Sequence, residues 1–192
     1  MDNFEVENCL NTMSVIVDKR EQPSERVNKR YAGFNIPFNR ATLNYGDYTY
    51  NAVLPNGTPI YDESKTVFPK VMIERKMDLD ELANCFTMKG DKECLEMGLR
   101  NRFEKEFYRA IENNARCYLL VEDANFEKIL NHRYNSKFNS KAFFSSLMAW
   151  QTRYNIHVVF CQKELSGKII KEILYRELKE RLENGEYDYG LV

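Results

Sequence analysis

The sequence predicts an α/β fold with a central mixed β-sheet flanked by helices. Short apolar runs rich in β-branched residues, such as 15–17, 71–73 and 117–121, are typical of buried strands. These runs alternate with longer segments whose apolar residues recur every three or four positions, which is typical of helices that face a core. The chain contains no internal repeat or low-complexity segment. One layered domain is therefore expected.

The predicted strands begin with the run 15–17, which ends in Asp18 and is followed by a polar stretch, as expected of a strand that stops at a functional edge. Segments 41–45 and 48–54 flank a glycine and are predicted to form a strand or hairpin. That hairpin leads through a Pro/Gly-rich turn into a third strand at 71–75. Two further buried strands are predicted at 117–122 and 156–161.

The predicted helices follow from apolar residues at helical spacing. A helix with few apolar positions is expected at 24–33, and another begins at Asp78. Segment 87–98 interrupts the pattern and is predicted to be a mobile loop, which either folds over a bound substrate or is disordered without a function. The remaining helices are predicted at about 99–111, 140–154 and 166–182.

The composition, with 43% apolar and 30% charged residues, is that of a globular protein. No segment approaches the roughly 18 consecutive apolar residues that a membrane span requires, so no membrane partner is expected. The first residues are acidic and lack an apolar stretch, which predicts an intracellular location in the cytoplasm or nucleoid. We divide the chain into an N-terminal extension (1–13), a main domain (14–163) and a C-terminal helix and tail (164–192) packed on that domain.

The charge balance of 28 basic and 29 acidic residues gives a net charge of -1, so no overall field attracts nucleic acid. Contact with DNA would require local basic patches. Five cysteines without close pairing argue against a disulfide framework or a zinc module. Two groups could follow a phosphate backbone, although most such charge forms ordinary solvated surface: Arg26, Lys29 and Arg30, and then His132, Arg133, Lys137 and Lys141.

Acidic and basic side chains follow the predicted strand 71–73 directly. Because strand side chains alternate, Glu74 and Lys76 share one face of the sheet edge and Arg75 points to the other. Asp47 joins Glu74 if neighbouring strands bring the two together. Mg2+ and Mn2+ prefer oxygen ligands and need only one or two carboxylates plus a substrate phosphate.

Such a carboxylate pair suits phosphodiester hydrolysis, because a bound divalent metal supplies a hydroxide, neutralises negative charge and assists the leaving alkoxide. Lys76 is placed to orient or deprotonate the attacking water and to offset developing negative charge. The pattern therefore predicts a metal-dependent nuclease site.

The motif Gly46-Asp47, Glu74-Arg75-Lys76 and Asp80 resembles the GDx(n)ERKx3D signature of the XPF-type structure-specific nuclease domain, a branch of the restriction-endonuclease-like PD-(D/E)XK superfamily. The run 17–21 is similar to the first strand of that family. The resemblance covers about 14–163. It implies a restriction-endonuclease-like fold and a Mg2+- or Mn2+-dependent DNA endonuclease that cuts branched or otherwise structured DNA in repair, recombination or phage DNA processing.

By this resemblance, Asp47 and Glu74 are metal ligands with Asp18 as an additional acidic ligand, and Lys76 is the catalytic lysine. From the residues alone, Asp18 could instead cap a turn. The resemblance also implies the supporting or substrate-binding roles, which fall to Glu21, Arg75, Asp80 at the start of the next helix, and Arg102 as a phosphate contact. A helix-start carboxylate that favours the helix dipole is an equal alternative for Asp80.

Archaeal and eukaryotic relatives carry tandem helix-hairpin-helix modules, and the segment after Cys161 is too short for them. We therefore expect a stand-alone domain similar to those of bacteria and phages. Nuclease domains of this family pair, so we expect a homodimer, with an exposed face of helix 140–154 bearing Trp150 as its interface. A recruiting protein partner is also expected.

Two alternative functions stay open at this point. The near-neutral charge is compatible with a non-catalytic nucleic-acid-binding subunit that keeps the nuclease fold. A nuclease that acts on RNA or on a phage recombination intermediate is the other.

Overall fold

The computed structural model describes residues 1–188, which fold into one mixed β-sheet between two layers of helices. The predicted α/β architecture is confirmed. The last four residues of the predicted C-terminal tail, 189–192, lie outside the described residues. The strands within 1–188 are β1 (Ser14–Asp18), β2 (Phe38–Ala41), β3 (Tyr48–Asn51), β4 (Val71–Lys76), β5 (Arg116–Glu122) and β6 (Ile156–Cys161).

The strand order within the described residues is β2-β1-β3-β4-β5-β6. Strand β1 is parallel to β2 and antiparallel to β3, β3 is antiparallel to β4, and β4, β5 and β6 are mutually parallel. The carboxyl ends of β1, β4 and β5 therefore meet at one edge of the sheet. That edge carries Asp18, Glu74 and Glu122.

The strand predicted at 41–45 is wrong, because the strand runs from Phe38 to Ala41 and pairs in parallel with β1. Residues beyond Ala41 leave the sheet: the N–H of Leu43 donates to the Asp18 carboxylate, and the Tyr45 hydroxyl donates to the carbonyl of Pro69. Strand β3 ends at Asn51 rather than continuing to residue 54.

The helices bear out most of the predicted pattern. Three were not predicted: two short helices at Lys92–Glu96 and Phe126–Leu130, and the first helix of the chain. That first helix begins at a capping box formed by Asp2 and Glu5 and buries part of its surface. The helices within 1–188 are α1 (Asn3–Asn11), α2 (Glu25–Ala32), α3 (Leu79–Thr87), α4 (Lys92–Glu96), α5 (Arg102–Glu112), α6 (Phe126–Leu130), α7 (Ser140–Tyr154) and α8 (Ser166–Glu183). None of them is long and apolar enough to cross a bilayer.

The two faces of the sheet have separate cores. Helices α1 and α8 cover the face that carries Ile73 and Leu120, and α3, α5 and α7 cover the face that carries Met72 and Leu119. Alternation along β4 therefore sends Glu74 and Lys76 toward α3 and α5, and Arg75 toward the opposite face.

Trp150 lies in the second of these cores and is 1% exposed, so the prediction that it bears a dimer interface is wrong. Its ring packs against Phe86, Phe103 and Phe107. The reason is the rotation of α7, which turns Trp150 inward together with Leu147 at helical spacing.

The prediction of a mobile loop at 87–98 is wrong in part, because residues 92–96 form helix α4. The Asp91 side chain caps this helix, and Cys94 within the helix is fully buried. The side-chain amide of Asn101 holds the end of helix α3 in place by donating hydrogen bonds to the backbone carbonyls of Cys85 and Met88.

Candidate active site

Two polar clusters lie on opposite faces of the same sheet edge. The carboxylate cluster, on the side of α3 and α5, contains Asp18, Asp47, Glu74 and Lys76, together with Arg20 and Glu106. The arginine cluster, on the side of α2, contains Glu21, Arg26, Arg30, Arg75 and Glu122.

Asp47 is fixed between the ends of two strands. Its backbone N–H donates to the carbonyl of Ile73, and its Oδ2 accepts from the N–H of Arg75 at 2.8 Å. The preceding Gly46 has φ of +75°, and a Cβ there would lie 2.9 Å from the Met72 side chain. Only glycine fits this position, which explains the Gly-Asp pair.

Glu74 and Lys76 form a buried ion pair, with Nζ 2.6 Å from Glu74 Oε1. The ammonium also lies 4.7 Å from the centre of the Phe103 ring. Burial lowers the pKa of Lys76, but the charges of Glu74 and Asp47 outweigh it and the pKa is raised. Lys76 is therefore an ammonium group that donates hydrogen bonds, which fits orientation and charge neutralisation better than deprotonation of water.

Burial raises the pKa of Asp47 to about 7, and the negative charge of Glu74 adds to the rise. The nearby cations Lys76 and Arg75 oppose it. Two carboxylates that disfavour each other's charge form a site where a cation stabilises both.

Asp18 lies at the same edge and is 1% exposed. Its Oδ1 accepts from the Arg20 backbone N–H at 2.8 Å and from Arg20 Nε at 2.7 Å, while its Oδ2 accepts from the N–H of Leu43. These bonds join the end of β1 to the following segments. A role for Asp18 as metal ligand stays a prediction.

Glu106 on α5 was missed by the sequence prediction. Its Oε1 lies 3.8 Å from Arg20 Nη1, and its buried Oε2 has no hydrogen-bond partner among residues 1–188. Burial raises the pKa of Glu106, with Arg20 opposing and Asp47 adding to the rise. The signal in the sequence was position: Glu106 comes three residues after Phe103 and so lies at the edge of the apolar face of the helix, where its side chain is 19% exposed.

The arginine cluster centres on Glu122, which is fully buried at the end of β5. Glu122 accepts hydrogen bonds from Arg26 and Arg30, and Glu21 accepts from Arg30 Nη1 at 2.8 Å. The sequence prediction gave Glu122 no role, although it ends an apolar strand just as Asp18 does.

Arg75 stands beside these carboxylates without a close bond to either. Its guanidinium lies 3.8 Å from Glu21 and 3.9 Å from Glu122. Its Nε and Nη1 are buried and lack hydrogen-bond partners within the described part of the chain. The cluster thus combines three guanidinium groups with two carboxylates, and two of the Arg75 donors are buried without a partner among the described residues.

The other two predicted residues lie apart from the clusters. Asp80 accepts hydrogen bonds from the backbone N–H groups of Asn135 and Ser136, so it holds that loop against the start of α3. Asp78, not Asp80, caps the helix. Arg102 is exposed at the start of α5, and its role in phosphate contact stays a prediction.

An open cleft joins the two clusters. Asp47 and Lys76 of the carboxylate cluster line it, together with Arg26, Arg30 and Arg75 of the arginine cluster. Its walls therefore present carboxylates and cations to the same space.

The donor set fits a divalent cation. Within residues 1–188, no group of three or more His, Cys, Asp or Glu side chains is placed so that it could hold a metal ion. Mg2+ and Mn2+ need only one or two protein carboxylates, because waters and substrate phosphate complete their coordination. Asp47 and Glu74, which the ends of β3 and β4 bring to one edge, could supply these oxygens.

Comparison with known proteins identifies the fold. The family model described as ERCC4 domain matches residues 17–173. The structure of XPF from Aeropyrum pernix superimposes with a TM-score of 0.54 at 16% identity, covering 91% of this chain and 69% of that chain. The structure of XPF from Aeropyrum pernix in complex with DNA gives 0.53 at 17% identity, covering 93% of this chain and 76% of that chain. A search of curated proteins finds no match.

Proposed function

Because the chain belongs to the ERCC4 domain family, with the XPF-type nuclease fold, we propose that it is a Mg2+- or Mn2+-dependent DNA endonuclease. The observation that carries this proposal is the convergence of Asp47, Glu74 and Lys76 at one sheet edge. Branched or otherwise structured DNA, as found in repair, recombination or phage DNA processing, is the proposed substrate.

Asp47 and Glu74 would hold the metal, with Asp18 nearby. A bound divalent metal supplies Lewis-acid chemistry and a hydroxide at neutral pH. The raised pKa of Asp47 means that its carboxyl group gives up a proton when it becomes a ligand. Lys76 remains protonated and offsets the negative charge that develops on the phosphate in the transition state.

The arginine cluster is the proposed contact for the DNA backbone next to the cut. Arg75 and Arg26 line the cleft beside the carboxylates, and Arg75 has donors without partners among residues 1–188. Guanidinium groups bind phosphate oxygens in a two-pronged geometry. Buried Glu122 accepts a hydrogen bond from Arg26, while Arg75 lies within 4 Å of Glu21 and Glu122 without a close bond to either. Such a local group of cations would be needed for contact with DNA, because the net charge of the chain is -1.

Cleavage assays test the proposal. Purified protein is incubated with labelled flap, forked and duplex DNA and with RNA, in Mg2+ or Mn2+. We expect cleavage of structured DNA that is lost in Asp47→Asn and Lys76→Met. The exposed pair Asp62 and Lys65 provides matched controls, Asp62→Asn and Lys65→Met, which should cut normally. Inactivity on every substrate with both metals, or normal cleavage by the Asp47 and Lys76 variants, would exclude the proposed function.

A non-catalytic nucleic-acid-binding subunit is the second candidate. It is favoured by the short Glu74–Lys76 contact, since these two groups satisfy each other as a structural ion pair. Calorimetric titration with Mn2+ separates the candidates, because the binding subunit predicts DNA binding without Mn2+ binding that depends on Asp47 and Glu74. RNA cleavage in the assay above would instead favour a ribonuclease. Homodimerisation, a recruiting protein partner and an intracellular location stay predictions.

A further inference from the structure

Two aromatic rings lie side by side where helix α2 leads into the edge strand β2. The ring centres of Tyr31 and Phe38 are 4.6 Å apart, and Phe34 packs behind both of them. Phe34 is 1% exposed and belongs to the core, whereas Phe38 is 40% exposed. Packing of the core therefore explains Phe34 but not the exposed ring of Phe38.

The two rings belong to a shallow, open pocket, which we call the aromatic pocket. Its lining consists of the two rings, two aliphatic side chains and two side-chain amides: Tyr31, Phe38, Ala32, Ile36, Asn28 and Asn35. Within the described residues, no carboxylate lines it. Unpaired nucleic-acid bases stack on aromatic rings and form hydrogen bonds through their edges, so this combination of rings and amides suits such a base.

The aromatic pocket adjoins the arginine cluster. The hydroxyl of Tyr31 donates to Glu21 Oε2 at 3.0 Å. The other oxygen of Glu21 accepts from Arg30 at 2.8 Å and lies 3.8 Å from Arg75 Nη2. Tyr31 also follows Arg26 of the cleft by five positions on α2, a rise of about 8 Å. That rise corresponds to roughly two base steps along a nucleic-acid strand.

A cation stands beside the pocket on strand β2. Phe38 and Arg40 lie on the same face of this strand, because strand side chains alternate. Arg40 is exposed, and its guanidinium donates to the backbone carbonyls of Lys19 and Glu21. Aromatic rings next to a fixed guanidinium complement an anionic strand that carries bases, which favours nucleic acid over an apolar protein segment as the occupant.

We propose that the aromatic pocket binds an unpaired base of the DNA strand that passes through the cleft, so that the substrate carries a single-stranded arm next to the cut. This inference rests on the DNA-binding part of the proposed function. Stacking on a ring tolerates every base, so the pocket selects unpaired structure rather than sequence. A continuous duplex offers no such base, because its bases stack on each other.

Abasic nucleotides test the pocket without any change to the protein. Binding of forked DNA to the wild type is measured by fluorescence anisotropy in EDTA, so that metal-dependent cleavage does not interfere. We expect removal of the bases next to the branch, in one of the two arms, to weaken binding about tenfold, the order of loss when a base stack is removed. Equal binding of the intact fork and both abasic forks would overturn the inference.

Phe38→Leu removes the ring and keeps an apolar side chain. We expect it to bind the intact fork about tenfold more weakly and the fully paired duplex as the wild type does. On the abasic fork it should cause no further loss, because both changes remove the same contact. Losses that add would overturn the inference. Tyr31→Phe, which keeps its ring, should bind the fork more tightly than Tyr31→Leu.

Phe68→Leu is the matched control. Phe68 is 50% exposed and precedes β4, so it lies toward the opposite edge of the sheet. This variant should bind forked DNA as the wild type does. If Phe38→Leu does not fold, Ala32→Gln replaces it, because it adds a longer side chain to the pocket at an exposed position. Wild-type affinity of that variant for the fork would overturn the inference.

The same binding assay separates this inference from nuclease activity. A wild type that binds forks through the pocket but cuts no DNA would support the inference and exclude the endonuclease. A wild type that cuts forked DNA while Phe38→Leu binds it equally well would overturn only the role of the pocket. If the wild type binds neither forked nor single-stranded DNA, the inference fails together with the proposed contact to DNA.

Discussion

Lys76 Nζ lies 2.6 Å from Glu74 Oε1, so the predicted catalytic lysine and a predicted metal ligand are bonded to each other at the end of β4. Strand alternation places both side chains on one face, and the ring of Phe103 lies beneath the ammonium. The pair balances charge in the metal-free protein. It also places a cation beside the position where a scissile phosphate would bind.

Replacing Lys76 should separate chemistry from metal binding. Lys76→Met removes the charge that stabilises the transition state, and we expect single-turnover cleavage to fall by about 10² to 10³. The affinity for Mn2+ should be unchanged or higher, because the variant lacks the Lys76 ammonium group that competes with the metal for the Glu74 carboxylate. Lys105→Met is the control: Lys105 is also buried and pairs with Glu93, away from the site. Cleavage by Lys76→Met at the wild-type rate would contradict this role.

The raised pKa of Asp47 predicts a stability that depends on pH. Its folded pKa, about 7, lies above the ordinary value of 3.8, so the folded state binds the proton more tightly than the unfolded state. The resulting stability is complete below about pH 4 and is lost as pH rises through 7. Without divalent metal, Asp47→Asn should therefore exceed the wild type by up to about 4 kcal/mol at pH 8, and the difference should shrink toward pH 5.

Thermal unfolding at pH 5 and pH 8 measures this difference. Asp62→Asn provides a control of opposite sign, because hydrogen bonds from Ser64 and the charge of Lys65 lower the pKa of Asp62 to about 2. That variant should lose stability at pH 8. An Asp47→Asn protein that is less stable than the wild type at pH 8 would exclude a raised pKa.

The arginine cluster should depend on Glu122. Glu122→Gln leaves Arg26 and Arg30 next to a neutral group in a buried site, and we expect the free energy of unfolding to fall by about 3 kcal/mol. Urea denaturation measures this change. Glu25→Gln, which breaks the exposed pair with Lys29, should have no measurable effect. Equal stability of the two variants would show that the buried cluster does not support the fold.

Trp150→Ala tests the corrected position of the tryptophan. Removing a fully buried indole should destabilise the protein by about 3–5 kcal/mol, because a cavity replaces its contacts with Phe86 and Phe103. Thermal unfolding measures the loss, and light scattering reports the oligomeric state. Dissociation of a dimer without loss of stability would instead favour the exposed position predicted from the sequence.

Local patterns predicted the part of the site that lies on β4. Alternation along one strand fixes the relation of Glu74, Arg75 and Lys76, and the glycine at position 46 marks Asp47 as the residue that follows a tight turn. The spacing of apolar residues likewise predicted that helices flank a central sheet.

Contacts between distant segments were not predictable in this way. Arg30 and Glu122 are 92 positions apart in the chain and meet only because α2 packs over the end of β5. Strand β2 is decided by its pairing with β1 rather than by its own weakly apolar sequence. Phe144 and Met148 make a second side of helix α7 partly apolar. The sequence therefore did not show whether the side of α7 that carries Trp150 faces the core or the solvent.

The proposed nuclease depends above all on a divalent cation between Asp47 and Glu74. Crystals grown with MnCl2 and measured at the manganese absorption edge locate that cation without any reference to activity. We expect an anomalous peak within coordination distance of both carboxylates, with Lys76 beside it. A protein saturated with Mn2+ that shows no peak between these two carboxylates, or a peak only elsewhere, would contradict the proposed site.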